Sequence, residues 1–283
     1  MQKQKRVAAI QDISGFGKCS LTVALPILSA AGIETAIMPT AVLSTHTGGF
    51  SGYTYRDLTD DMRPFAAHWK SVGIKFDAIY SGFLGSRRQI EIVKEFISDF
   101  RTDGCIAVVD PAMADNGKMY ALFDMKFATE MASLCAVADI IVPNITEAVF
   151  MLGREYSEGP FTKKYIESLL FDLAEAGPSK VVLTGIGLDE GRMGAASYDK
   201  ETGEVFYAMS KTIPGMYHGT GDIYASALIA AYLKGRNLAD SARIAVDFVY
   251  ESIKRTSEAG TDVRFGIDFE TGLLKLAGDI NNV

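Results

Sequence analysis

Residues 105–111 read "CIAVVDP". Five apolar residues in succession, with no polar residue at alternate positions, do not make a strand with one face in water. The run predicts a strand buried on both faces and closed by Asp110-Pro111, and hence a parallel sheet with helices on each side. Working outward, further strands are expected at 7–11, 33–38, 77–80, 140–142 and 180–184. Helical patterns separate them at 18–31, 57–72, 87–100, 126–138, 146–152, 162–175, 221–233 and 241–256. In 87–100, for example, Ile90, Val93, Ile97 and Phe100 recur at helical spacing. Gly32 suits the end of the first helix, and the second strand is expected to stop before Pro39. Residues 44–56, "STHTGGFSGYTYR", read as a loop or flap, and 194–198 with 204–209 as a hairpin around "DKETGE". No linker, repeat or low-complexity tract divides the sequence. The expectation is one α/β domain over 1–283, with a central, mostly parallel sheet flanked by helices on both faces. Polar residues just beyond the strand ends are then where chemistry is expected.

Composition narrows the class. Of 283 residues, 48% are hydrophobic, enough for a sizeable core. The net charge of -7, with scattered lysines and arginines, gives no footprint for nucleic acid. A local site can still oppose that charge and take an anion. Cys19, Cys105 and Cys135 are far apart, with no CxxC or Cys/His cluster, which argues against zinc and fits a reducing cytoplasm. The apolar stretch before Gln11 is too short for a signal peptide, and no apolar run is long enough to span a membrane, so a soluble protein is expected.

Two glycine-rich stretches compete for a phosphate. "DISGFGKCS", residues 12–20, lies between a strand and a helix, but it fails the P-loop pattern twice. Asp12 falls where the first glycine belongs, and Cys19 where the magnesium-binding hydroxyl belongs. A dinucleotide-binding GxGxxG fails too, because Ser20 occupies its last position. The better candidate is "GTGD" at 219–222, which opens a helix rich in small residues. Glycines there expose backbone N–H groups and let an anion approach, helped by the helix dipole. Asp222 would repel a bound phosphate, but it makes sense as a general base for an attacking alcohol. Plain N-capping is the competing explanation. "NITE" at 144–147 places Asn144 and Glu147 on one side of a helix start, as magnesium-orienting groups or as a capping motif. Asp110 and Asp115 in "DPAMAD" add acids beyond another strand, although Asp110 also suits a turn. Acids at strand ends plus a glycine-rich helix start suggest magnesium-assisted phosphoryl transfer.

"GTGD" at 219–222, "NITE" at 144–147, "DPAMAD" at 110–115 and "SGFLGS" at 81–86 together resemble the pyridoxal kinases of the ribokinase-like superfamily. "AIQDISGFG" and "LSTHTGG" at 43–49 also fall in the family's order, so the resemblance covers essentially the whole chain. It implies ATP-dependent phosphorylation of the 5'-hydroxymethyl group of a vitamin B6 vitamer (pyridoxal, pyridoxamine or pyridoxine) in vitamin B6 salvage. Asp222 would deprotonate that group, while Gly219, Thr220 and Gly221 would form the anion hole. Asn144 and Glu147 would orient Mg2+ and its waters, with Asp115 and Asp110 in the same region. Thr184 would sit near the ATP phosphates. His46, Thr47, Asp12 and Phe83 would approach the pyridine ring. A cytoplasmic homodimer is implied, and a monovalent cation is a further candidate.

The sequence also departs from that family. Asp12 and Phe83 stand where pyridoxal kinases commonly have serine and tyrosine. "DISGFG" is similar to the opening of the hydroxymethylpyrimidine kinases of thiamine biosynthesis, the alternative assignment. Those enzymes usually carry cysteine after GTG, where Asp222 stands here. Phe50, Tyr53 and Tyr55 either stack on a planar ring or line the flap.

Overall fold

The computed structural model describes residues 3–189 and 191–281. Residues 1, 2, 190, 282 and 283, included in the single-domain expectation, lie outside them. The strands are β1 (Arg6–Ser14), β2 (Glu34–Leu43), β3 (Tyr55–Asp57), β4 (Ala78–Ser81), β5 (Ile106–Val109), β6 (Ala114–Asp115), β7 (Lys118–Met119), β8 (Ile140–Ile141), β9 (Lys180–Asp189), β10 (Arg192–Asp199) and β11 (Glu204–Lys211). Among the described residues they form a nine-stranded sheet in the order β11-β10-β9-β8-β5-β4-β1-β2-β3, with β6 and β7 as a separate hairpin. From β9 to β2 the strands run parallel. The β10–β11 hairpin adds antiparallel strands at one edge and β3 at the other.

The helices are α1 (Leu21–Ala30), α2 (Thr59–Ser71), α3 (Arg87–Phe100), α4 (Met125–Cys135), α5 (Ile145–Met151), α6 (Lys163–Glu175), α7 (Thr220–Leu233), α8 (Leu238–Ala259) and α9 (Leu273–Asn281). Helices α2 to α6 bury their apolar faces in one core, and α1, α7, α8 and α9 in another, on opposite sides of the sheet. Neighbouring strand residues divide between the two cores. Ile79, Ala107 and Val109 join the first, whereas Tyr80 and Val108 join the second. This is why "CIAVVD" shows no alternation: both faces of its strand are dry. Helix α7 is buried along Ile223–Ala231 because it lies between the sheet and both α1 and α8, so it needs no polar side.

Several local expectations are corrected. The first helix begins at Leu21 rather than residue 18, because Lys18 (φ 59°) and Ser20 (φ 55°) are left-handed and turn the chain first. Strand β2 continues through Pro39. Strand β3 pairs with it only at Ala41–Leu43, so Pro39 lies where β2 is still the outer strand, a place that tolerates proline. The β6–β7 hairpin was not anticipated. Its turn, Asn116-Gly117, has positive φ at both residues (49° and 74°), the geometry for which Asn-Gly is favoured.

Candidate active site

The carboxyl ends of the parallel strands converge on one side of the molecule. Asp12 lies near the end of β1, Phe83 follows β4, Asp110 follows β5, and Asn144 follows β8 beside Thr184 of β9. The chain leaves β1 for β2 on one side and later returns to β4 on the other, the kind of switch point where open α/β sheets bind ligands.

The start of α7 meets this row. Gly219 caps it with φ 78°, and a Cβ built there would lie 2.1 Å from the Lys18 carbonyl oxygen. The turn at 17–20 and the start of α7 therefore approach at a distance that only glycine permits. The first bond of the helix runs from the Ile223 N–H to the Gly219 carbonyl (3.0 Å). The N–H groups of Thr220, Gly221 and Asp222 precede it and have no acceptor within the helix. Together with the dipole they form an anion site. The Thr220 hydroxyl donates back to the Tyr217 carbonyl (3.2 Å), which fixes the entering loop.

Burial pushes the Asp222 pKa up to about 7; the Ser20 N–H opposes the rise, and the negative charge of Asp12 adds to it. Asp110 is 7% exposed, and burial, with Glu147 and Asp222 nearby, holds its carboxyl well above the usual range. The "NITE" motif forms a full capping box. Asn144 Oδ1 accepts from the Glu147 N–H, and Glu147 Oε2 accepts from the Asn144 N–H, each at 2.9 Å. Glu147 Oε1 accepts from the Met113 N–H (3.0 Å), and the Asn144 amide donates to the Ala114 carbonyl (2.8 Å). Both side chains thus pin the segment after Asp110 to the start of α5. Burial raises the Glu147 pKa to about 8 against those bonds. Asp115 is exposed, and its two oxygens accept from the backbone and side chain of Asn116 (2.9 Å each).

Among the described residues, no three of His, Cys, Asp and Glu come close enough to form a ready metal-ligand set. The fit to magnesium is electrostatic instead. Asp110, Glu147 and Asp222 gather buried carboxyl groups that a hydrated cation would let ionise together. Among the described residues none donates a hydrogen bond to the Asp110 carboxyl, whereas the oxygens of Glu147 are mostly spent on backbone amides. A stability consequence follows. The folded state keeps protons on Glu147 and Asp222 that the unfolded chain releases near pH 4, so stability falls as pH rises toward about 8. Calorimetry of the ligand-free protein should show a lower Tm at pH 8.5 than at pH 6; a rising Tm contradicts this electrostatic reading.

The acceptor side is built from the loops after β1 and β2 and the segment after α8. Asp12, 4% exposed, accepts from the Ser14 hydroxyl (2.9 Å). Burial raises its pKa, and the Ser20 and Ser14 hydroxyls oppose the rise. His46 is buried with both ring nitrogens engaged. Nδ1 accepts from the Gly48 N–H (3.1 Å), so Nε2 donates to the Arg264 carbonyl (2.7 Å). Its ring lies 5.0 Å from those of Phe50 and His218. Thr47 is exposed, and Phe83 is half-buried against Phe123. Phe50 also meets Phe16 and Phe265, so flap, first loop and C-terminal segment share one aromatic cluster. Burial lowers the His218 pKa, and His46 adds to the effect. The Lys18 ammonium is paired with Glu270 (2.8 Å) and donates to the Ile267 carbonyl (3.4 Å).

The sequence reading missed Ser14, Ser20 and Arg264. Ser14 and Ser20 follow Asp12 within the quoted "DISGFGKCS" stretch. Arg264, some 218 residues from His46, carries no sequence signal for that contact.

Residues 27–265 match the family model described as phosphomethylpyrimidine kinase. The chain is similar to a candidate phosphomethylpyrimidine kinase of Bacteroides thetaiotaomicron whose structure is described with pyridoxal. The two are 38% identical with a TM-score of 0.93, over 97% of this chain and 96% of that one. Pyridoxal kinase from Lactobacillus plantarum is 29% identical with a TM-score of 0.89, over 98% of both chains. The pyridoxine/pyridoxal/pyridoxamine kinase of Bordetella bronchiseptica is 27% identical over 277 residues, 90% of each chain.

Proposed function

Because the chain belongs to the phosphomethylpyrimidine kinase family, we propose that within it this enzyme phosphorylates the 5'-hydroxymethyl group of a vitamin B6 vitamer, serving vitamin B6 salvage. Kinase activity of the pyridoxal and hydroxymethylpyrimidine type follows from the family. The choice of alcohol rests on the likeness to the Bacteroides protein described with pyridoxal. Hydroxymethylpyrimidine is the second candidate, favoured by the description of the family model.

In this reading the vitamer lies over the N-terminal half, against Asp12, His46, Thr47 and Phe83. ATP lies over the C-terminal half, beyond Thr184. Asp222 takes the proton of the substrate hydroxyl as its oxygen bonds to the γ-phosphorus, and the bond from that phosphorus to the β-phosphate oxygen breaks. The products are ADP and the phosphate ester. The N–H groups of Thr220 and Gly221, with the Gly219 turn that sets their direction, stabilise the charge on the transferred group. A base of pKa about 7 is suited to neutral pH, because it is substantially ionised yet still basic enough to accept a proton. Magnesium would be held at Asp110, with Asn144, Glu147 and Asp115 around its waters, and would neutralise phosphate charge. A cytoplasmic homodimer belongs to the same reading.

The test is a coupled ADP-release screen with Mg-ATP and each of pyridoxal, pyridoxamine, pyridoxine and hydroxymethylpyrimidine. A B6 vitamer should give the highest kcat/KM. Highest turnover with the pyrimidine transfers the enzyme to the second candidate.

A further inference from the structure

In a P-loop the lysine after the glycine reaches the phosphates, and Lys18 falls at that position of "DISGFGKCS". Its ammonium is held elsewhere. It donates to the Glu270 carboxylate (2.8 Å) and to the Ile267 carbonyl (3.4 Å), and it lies 5.8 Å from the centre of the Phe269 ring. All three partners belong to the segment after α8, which is itself fixed. The Arg255 guanidinium of α8 donates twice to the Asp268 carbonyl (2.7 and 3.1 Å). The Asp268 N–H donates to the buried Thr256 hydroxyl (2.7 Å). The backbone of Lys18 meets the site instead. Its carbonyl oxygen is the atom that leaves no room for a Cβ on Gly219. The same turn closes on a second backbone: a Cβ built on Gly266 would lie 2.4 Å from the Gly17 carbonyl oxygen and 2.7 Å from the Lys18 Cβ. Lys18 sits at φ 59°, where glycine would be easier. A side chain kept where it strains the backbone points to a task for that side chain.

We propose that Lys18 is a positioning residue for the anion hole: its side chain ties the turn at 17–20 to the segment after α8, so that its carbonyl seats Gly219 and, with it, the N–H groups of Thr220 and Gly221. The proposal rests on the kinase reading above. Lys18 acts through Gly219 and touches neither substrate. The Lys18 and Glu270 side chains are 33% and 47% exposed, and a pair so open to water adds little to overall stability. Its effect is local, because it limits where the turn can sit. A displacement of about 1 Å in groups that meet the transition state can cost about 100-fold in rate.

Lys18→Met keeps the stem and removes the charge, and Lys18→Arg restores a donor of the same charge. With the alcohol that the wild-type enzyme turns over best, Lys18→Met should lower kcat by about tenfold and leave the KM for alcohol and for ATP within about twofold. Its Tm should stay within about 4 °C of wild type. Lys18→Arg should return kcat to within about threefold of wild type. Adding Glu270→Gln to Lys18→Met should cost nothing further, because the pair is already broken. A kcat within about twofold of wild type in Lys18→Met overturns the assignment. So does a KM for ATP raised about tenfold with kcat kept, which would mean that the ammonium meets the nucleotide directly. Equal losses of kcat in Lys18→Met and Lys18→Arg, with a Tm lowered by more than about 4 °C in both, mark a purely structural residue and overturn it as well. Wild-type enzyme that phosphorylates none of the four alcohols would instead overturn the kinase reading, and the assignment with it.

Discussion

Asp222→Asn should lower kcat by at least about 100-fold while leaving ATP affinity within about threefold of wild type. The amide has the shape of the carboxylate and keeps a hydrogen-bond acceptor in the same buried place. What it cannot do is take a proton from the substrate hydroxyl. The loss should therefore fall on turnover and not on nucleotide binding. The wild-type pH profile provides a second reading of the same group. With a pKa of about 7, the carboxylate fraction falls about tenfold per pH unit in the acid limb, and kcat/KM should fall with it. The variant should lack that limb. Near-wild-type turnover in Asp222→Asn would place the base elsewhere.

Gly219→Ala should damage both fold and turnover. The left-handed φ of 78° alone costs about 1–2 kcal/mol for a residue with a Cβ. The new methyl carbon would also lie 2.1 Å from the Lys18 carbonyl oxygen, and the obstacle is backbone, which cannot swing aside as a side chain would. Either the start of α7 or the 17–20 turn must move. The first displaces the N–H groups of Thr220 and Gly221, and the second disturbs the turn whose Ser20 bridges to Ile13 of β1. Misplacing one such donor costs about 100-fold or more in kcat, and the strain should lower Tm by several degrees. A variant with wild-type kcat and Tm would mean that this close approach is not needed for catalysis.

The two predictions meet at one contact, between the turn after β1 and the start of α7. That contact marks how much was legible in the sequence. The two-faced sheet was legible in "CIAVVD", because burial on both sides erases the alternation that exposure would impose. The start of α7 was legible in "GTGD", because glycine followed by an apolar run of helical length has few other readings. The role of "DISGFGKCS" was only half legible. Its failing positions ruled out a P-loop, but left-handed Lys18 and Ser20 break the rule that only glycine turns this way, and no pattern announced them. "NITE" admitted a metal role and a capping role. The structure displays the capping box, and the remaining Glu147 oxygen accepts from the Met113 and Ala114 N–H groups, so the open carboxylate in that region is Asp110. Asn116-Gly117 was a plain hairpin signal that the acids around it obscured. The partners of His46 were not legible at all, since Arg264 reaches it only through the packing of the segment after α8 against the flap.

Direct competition between alcohols tests the central claim most sharply. Pyridoxal and hydroxymethylpyrimidine would be mixed at equal concentration with limiting Mg-ATP, and the phosphate esters identified by mass spectrometry as they form. Pyridoxal 5'-phosphate should dominate from the earliest time points. Predominant hydroxymethylpyrimidine phosphate would contradict the assignment of this enzyme to vitamin B6.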